Sequence, residues 1–242
     1  GSSGGIGLAL VKTYLNDGYF VLGLDKESSE STMSEAYAEI EVNLHMFSKD
    51  APYRDSVLDK IKERLPHKVN KFVLINNAAE QILKSVAEIQ WQDWESSLAV
   101  NTVAPFFLVQ GLAEELVASC GHVINISSIH AKLTKTEFTC YSSSKSALEA
   151  LTRSLAIELS PLGVSVNAIA PAAISTEMLK ASFNDKPEKL LELESYHPSA
   201  IIGTPAQVAL FVKTITDQQG GFLTGAVIEF SGGIAGRLHD PS

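Results

Sequence analysis

The sequence predicts an α/β fold: a doubly wound parallel sheet with helices on both faces, in a single domain spanning residues 1–242. Short apolar runs rich in Val and Ile alternate with longer helical patterns, the signature of repeated βαβ units around a sheet buried on both sides. A chain of 242 residues, 45% hydrophobic and 19% charged, is long enough to bury one such core. The strand candidates are residues 20–24, 71–75, 122–126, 164–169 and 226–230, with a weaker run over 38–42. Helices are expected near 6–17, 53–64, 91–118, 141–159 and 205–217. The fourth sets Ala147, Leu148, Leu151, Leu155 and Leu159 at helical spacing and stops before Pro161 and Gly163. Residues 177–203 lack strand patterning and are expected to form a mobile substrate lid.

Composition excludes several classes. A net charge of −9 and a pI near 5.2 argue against a nucleic-acid partner, which needs clustered Lys and Arg. No apolar run approaches the roughly 18 residues of a membrane span. Cys120 and Cys140 form no metal spacing and no disulfide framework, so a reducing, cytoplasmic setting is expected. No metal site is expected either, with His122, His197 and His239 read as structural or surface residues.

The chemistry concentrates in one stretch. Tyr141 lies thirteen residues after Ser128, and Lys145 follows four residues later, where i and i+4 share a helix face. At about 4 Å and an effective dielectric near 20, phenolate and ammonium attract by roughly 4 kcal/mol. That is enough to move a tyrosine pKa from about 10 towards 7 and ready it for proton exchange. Ser128, at the end of an apolar run, offers a hydroxyl donor to the same substrate oxygen.

Gly1, Gly5 and Gly7 give G-x3-G-x-G directly before a helical pattern, where the backbone can approach a pyrophosphate at a positive helix N-terminus. Asp25 ends the next apolar run, 18 residues after Gly7, placed to accept hydrogen bonds from adenosine ribose hydroxyls. A carboxylate there favours NAD over NADP, although Lys26 stands beside it.

With these residues assembled, the chain resembles the short-chain dehydrogenase/reductase family over nearly its whole length, which implies a Rossmann-type fold. Gly1-x3-Gly5-Ile6-Gly7 is similar to the family's dinucleotide loop and Asn76-Asn77-Ala78-Ala79 to its Asn-Asn-Ala-Gly. The run Asn101 to Phe106 resembles its central-helix asparagine segment, and Ser128, Tyr141 and Lys145 match its catalytic serine, tyrosine and lysine. The resemblance implies that Tyr141 is the acid/base, that Lys145 holds the nicotinamide ribose and lowers the tyrosine pKa, and that Ser128 steadies the substrate oxygen. Asn101 would support a relay water. It also implies cofactor contacts from Ser3, Ile6, Asn77, Ala78 and Ala79, adenine contacts from Asn43 and Leu44, and nicotinamide contacts from Pro171, Ile174 and Thr176. A homodimer or homotetramer through the helices near 91–118 and 141–159 is implied as well.

The sequence departs from the family pattern at Ala79 and Ala172 for glycine, Asn43 for aspartate and Ser231 for aspartate. The family's first strand, which precedes the glycine loop at the centre of the sheet, is not in the chain, so two exposed strand edges are expected. The reading is an NAD-dependent oxidoreductase interconverting a secondary alcohol and a ketone. An NADP-dependent carbonyl or 3-oxoacyl-carrier-protein reductase, a non-catalytic NAD-sensing protein and a purely structural subunit stay open as alternatives.

Overall fold

The computed structural model describes residues 1–27, 34–177, 179, 183, 187–218 and 221–237. Six parallel strands among them form two sheets. β1 (Val21–Asp25) pairs with β2 (Tyr37–Glu41), while β3 (Val73–Asn76), β4 (His122–Ile126), β5 (Ser165–Pro171) and β6 (Val227–Phe230) pair in that order. Every residue of β4 and β5 is buried, which is why both are rich in Val, Ile and Ala. Their polar members are paired inside. Asn76 Nδ2 donates to Asn125 Oδ1 at 2.8 Å, and Asn125 Nδ2 donates to Thr152 Oγ1 at 2.9 Å.

Side chains alternate across the sheet. Ile124, Ile126 and Ile169 pack on one face with Leu10 and Tyr14 of α1 (Gly5–Asn16) and Val208 and Val212 of α9 (Pro205–Thr216). Val123 and Val166 turn to the other face, against Val109, Leu116 and Leu155 of α5 (Ala104–Gly111), α6 (Ala113–Ala118) and α7 (Thr139–Leu159). On that face also, Val57 and Ile61 of α3 (Ala51–Arg64) meet Ile40, Val42 and Leu108. α9 starts sharply because Thr204 and Gln207 form a capping box ahead of the first turn.

The expected helix over 91–118 is instead three helices. α4 (Trp91–Leu98) runs into a π-helical turn at Ala99–Val103, and Leu112, at φ −113°, separates α5 from α6. Pro105 explains the first break. It has no N–H to donate to the carbonyl of Asn101 four residues back, so the backbone widens by one residue there. The apolar periodicity continues through the widened turn, which hid it from the sequence pattern. A short helix, α2 (Leu44–Lys49), was also not expected; Asn43 caps it by accepting from Met46 N at 3.1 Å.

Within the expected lid, α8 (Pro187–Tyr196) is helical, and residues 178, 180–182 and 184–186 lie outside the described residues. The segment is pinned at its base, where Ser175 N donates to Gly203 O at 2.8 Å and Gly203 N to Ala173 O at 3.0 Å. His122 and His197 are buried, the latter with Nδ1 2.9 Å from Leu193 O; His239 lies outside the described residues. No helix among the described residues is long and apolar enough to cross a membrane.

The central strand that the family pattern leads one to expect is not among the described residues. β1 and β3 face each other across a groove of about 500 Å³ walled by Val21, Leu22, Val73, Leu74, Leu10 and Leu108. Gly1 closes one end of it. Its nitrogen bonds Leu24 O, and its carbonyl accepts from Asn77 Nδ2 at 2.7 Å, so the glycine loop is tied to the ends of both β1 and β3.

Candidate active site

The carboxyl ends of the parallel strands, where a doubly wound sheet binds its ligands, gather most of the predicted residues. The glycine loop is packed so closely that side chains are excluded. A Cβ on Gly1 would lie 2.7 Å from Ala78 Cα, and one on Gly7 only 1.7 Å from Gly1 O. Gly5, at φ +50°, lies under Thr176, whose Cγ2 would be 2.9 Å from an added Cβ. The loop therefore touches both Asn77-Ala78 after β3 and the Thr176 segment after β5. Ile6 sits in the first turn of α1 and packs into the core beside Leu10.

No side chain caps α1 and no acidic residue stands in its first turn, so its leading amides are left for an anion. Ser3 N donates to Asp25 Oδ2 at 2.9 Å, which ties the loop to the end of β1. Burial acts to raise the Asp25 pKa, but the Ser3 amide, the Gly1 amino group 3.6 Å away and the Lys26 amide outweigh it and hold the carboxyl below its usual range. Lys26 points away, its ammonium 3.9 Å from Glu27 in solvent. These groups fit the adenosine diphosphate part of a nicotinamide dinucleotide: main-chain amides for the phosphates and an ionised carboxylate for ribose hydroxyls.

Asn43 and Leu44 follow the end of β2, where Val42 N donates to Asp25 O at 2.7 Å. The Asn43 side chain caps α2, and Leu44 packs against the cluster around Val42 and Phe47. Ile174 is likewise drawn inward, buried against the α1 face, and Pro171 ends β5 paired with Phe230. Thr176 Oγ1 accepts from Leu179 N at 3.2 Å. Ala79 is exposed after β3.

Ser128 follows β4, with its hydroxyl accepting from His130 N at 3.2 Å. Tyr141 and Lys145 lie on one face of α7, with Nζ 5.7 Å from the phenol ring centre. Lys145 is almost fully buried and donates to Ile126 O at 2.7 Å, at the end of the same strand that leads to Ser128. Desolvation brings its pKa down to about 8. Burial pushes the Tyr141 phenol upward, and a hydrogen bond with Ser128 opposes that shift. The expected lowering of the phenol by the ammonium is thus absent from the protein alone, because the ammonium is held on a main-chain carbonyl and both groups sit away from water.

Asn101, in the π-helical turn, has its whole amide engaged. Oδ1 accepts from Glu80 N at 2.8 Å, while Nδ2 donates to Glu80 O and to Ser144 Oγ, each at 2.9 Å. Ser144 in turn donates to Tyr141 O at 2.8 Å, so the amide braces the helix that carries the phenol. Ser144 was missed by sequence reasoning. Its place three residues after Tyr141, facing the Asn101 segment, was the available signal.

Of the three residues between Ser128 and Tyr141 with basic character, Lys132 is paired with Glu229 at 2.9 Å. Lys135 lies 4.8 Å from the Phe138 ring centre, and His130 stacks on that ring at 4.2 Å. Burial, then Lys135, lowers the His130 pKa, so this wall is aromatic and largely neutral rather than an anion receptor.

A glycine-cradled helix terminus, a carboxylate tied to that loop, and a buried serine and lysine with a half-buried tyrosine at one sheet end suit a nicotinamide-dependent oxidoreductase. The chain belongs to the short chain dehydrogenase family, whose model matches residues 1–187, and it is an enzyme of dehydrogenase/reductase type. An uncharacterized oxidoreductase of Thermotoga maritima is 31% identical over 98% of this chain and 94% of its own length. A 3-oxoacyl-[acyl-carrier-protein] reductase of Chlamydia pneumoniae is 29% identical over 97% and 94%. Among solved structures, ElxO with NADP bound superposes with a TM-score of 0.86 at 23% identity, covering 98% of this chain and 97% of that one. The 4-hydroxyisoleucine dehydrogenase complexed with NADH gives 0.84 at 24% identity with the same coverage. Both share the fold.

Proposed function

We propose that this enzyme interconverts a secondary alcohol and a ketone with NAD as the hydride carrier. The observation that carries the reading is the half-buried Tyr141 and the buried Lys145 on one face of α7, beside Ser128 and at the same sheet end as the glycine loop. A bound nicotinamide supplies the hydride acceptor in oxidation and the donor in reduction. The chain's own residues handle the proton. Tyr141 Oη takes the proton of the substrate hydroxyl in oxidation and returns it in reduction, while the Ser128 hydroxyl donates to the same oxygen where charge develops. Lys145, neutral or charged near neutral pH, sets how readily that phenol ionises. Asn101 and Ser144 hold the helix in register.

Gly1, Ser3, Gly5, Gly7, Asp25, Asn77, Ala78 and Thr176 would hold the dinucleotide. NAD is favoured because the Asp25 carboxylate is held below its usual range at the end of β1 and the Lys26 ammonium turns away towards Glu27. Of the expected substrate cover at 177–203, the described helix α8 is the part assigned to it, on a segment anchored where Gly203 meets Ala173 and Ser175. The active form is a cytoplasmic homodimer or homotetramer; Ile157 on α7 is 77% exposed and suits such an interface. A second reading, an NADP-dependent reductase of oxoacyl thioesters, is favoured by the Chlamydia pneumoniae relative.

The test is turnover across a panel of secondary alcohols with NAD and with NADP, alongside thermal stabilisation by each nucleotide. A ligand at 100 times its Kd stabilises by about 2.7 kcal/mol, roughly 5–10 °C for a chain of this size. NAD is expected to give the larger shift and the faster turnover. A larger response to NADP would transfer the assignment to the second reading, and no response to either would refute both.

A further inference from the structure

Resting on the nucleotide-binding reading above, we propose that Glu39 is a second determinant of cofactor choice, acting with Asp25 to reject a 2′-phosphate on the adenosine ribose. Glu39 lies in β2, in register with Gly23 of β1 and two residues from the partner of Asp25. Its Oε1 accepts from Ser3 Oγ at 3.0 Å, Ser2 Oγ at 3.3 Å and Tyr37 Oη at 3.2 Å. Gly23 makes this possible. A Cβ there would lie 2.5 Å from Tyr37 Oη and 2.7 Å from Ser2 Oγ, so only glycine leaves room for the cluster.

Ser3 therefore stands between two carboxylates, its amide on Asp25 at 2.9 Å and its hydroxyl on Glu39. Two consequences follow for a nucleotide bound beside it. The serine hydroxyls of the loop, which are natural donors to a phosphate, point instead to Glu39. A second carboxylate thus stands beside the loop serine that Asp25 holds. A free 2′-hydroxyl can donate to a carboxylate, whereas a phosphomonoester brings about 1.5 to 2 further negative charges and only acceptors. Discrimination of this kind comes from a repulsive element as much as from an attractive one.

The experiment is direct binding of NADH and NADPH, which differ only in the 2′-phosphate, to the wild type, Glu39→Gln and Asp25→Asn. Glutamine keeps an oxygen acceptor for the serines and removes the charge, so the loop is retained. Glu39→Gln is expected to tighten NADPH relative to NADH by about tenfold while NADH stays within about threefold. A ratio unchanged within twofold in Glu39→Gln, or equal losses for both nucleotides, would overturn the proposal. Should Glu39→Gln unfold, Glu39→Ala and Tyr37→Phe take its place. Alanine must shift the ratio towards NADPH, and phenylalanine, which leaves the charge, must not. If Asp25→Asn alone shifts the ratio, Glu39 has no role but the site stands; if the wild type binds neither nucleotide, the underlying reading falls with it.

Discussion

Lys145 is the residue whose environment departs furthest from what its sequence position suggested. Spacing placed it beside Tyr141 as a charge partner, yet the side chain is sequestered on Ile126 O with its pKa at about 8 instead of 10.5. The sign of the consequence is fixed by linkage. Between pH 8 and 10.5 the unfolded chain keeps this proton and the folded chain has released it, so stability rises with pH through that window and is lowered at neutral pH. At about 1.4 kcal/mol per pKa unit the rise is roughly 3 kcal/mol. Lys145→Met is expected to lose it. Urea unfolding of both proteins from pH 7 to 10 checks this: the wild-type curve should climb relative to the variant, and parallel curves would contradict the shift.

At the level of elements, the glycine loop and α1 form a unit whose tolerance to a single methyl differs sharply along its length. A Cβ on Gly7 would sit 1.7 Å from Gly1 O, while one on Gly4 meets nothing within 4 Å. Gly4 has φ −141°, an ordinary extended angle. Gly7→Ala should therefore cost about 1–3 kcal/mol of stability through forced displacement of the loop, and Gly4→Ala should stay within about 0.5 kcal/mol. Denaturation midpoints of the two variants decide it, and equal effects would sink the packing argument. Spacing alone made the loop legible but could not rank its glycines, because the crowding atoms belong to Gly1 and Asn77, which only the fold brings near.

Across the whole molecule, strand and helix order was readable because buried parallel strands leave short runs rich in Val, Ile and Ala, such as 122–126 and 164–169. The π-helical turn at Asn101 was not readable, since Pro105 alters the backbone without disturbing the apolar stripe. Ser128, Tyr141 and Lys145 were legible from local spacing. The braces behind them were not: Asn101 to Ser144, and Glu39 to the loop serines, join residues 43, 37 and 36 positions apart. Asn43 and Leu44 stand at a family-like position that the local structure also uses as a helix cap and a core contact, a use their spacing does not reveal. The central claim is that these separate elements converge so that Tyr141 moves a proton where a dinucleotide exchanges hydride. Its most direct test is Tyr141→Phe, with turnover and NADH affinity measured on the same preparation. Turnover should fall by roughly 10²- to 10⁴-fold while the NADH Kd is unchanged. A phenylalanine variant that still turns over at near wild-type rate would contradict it.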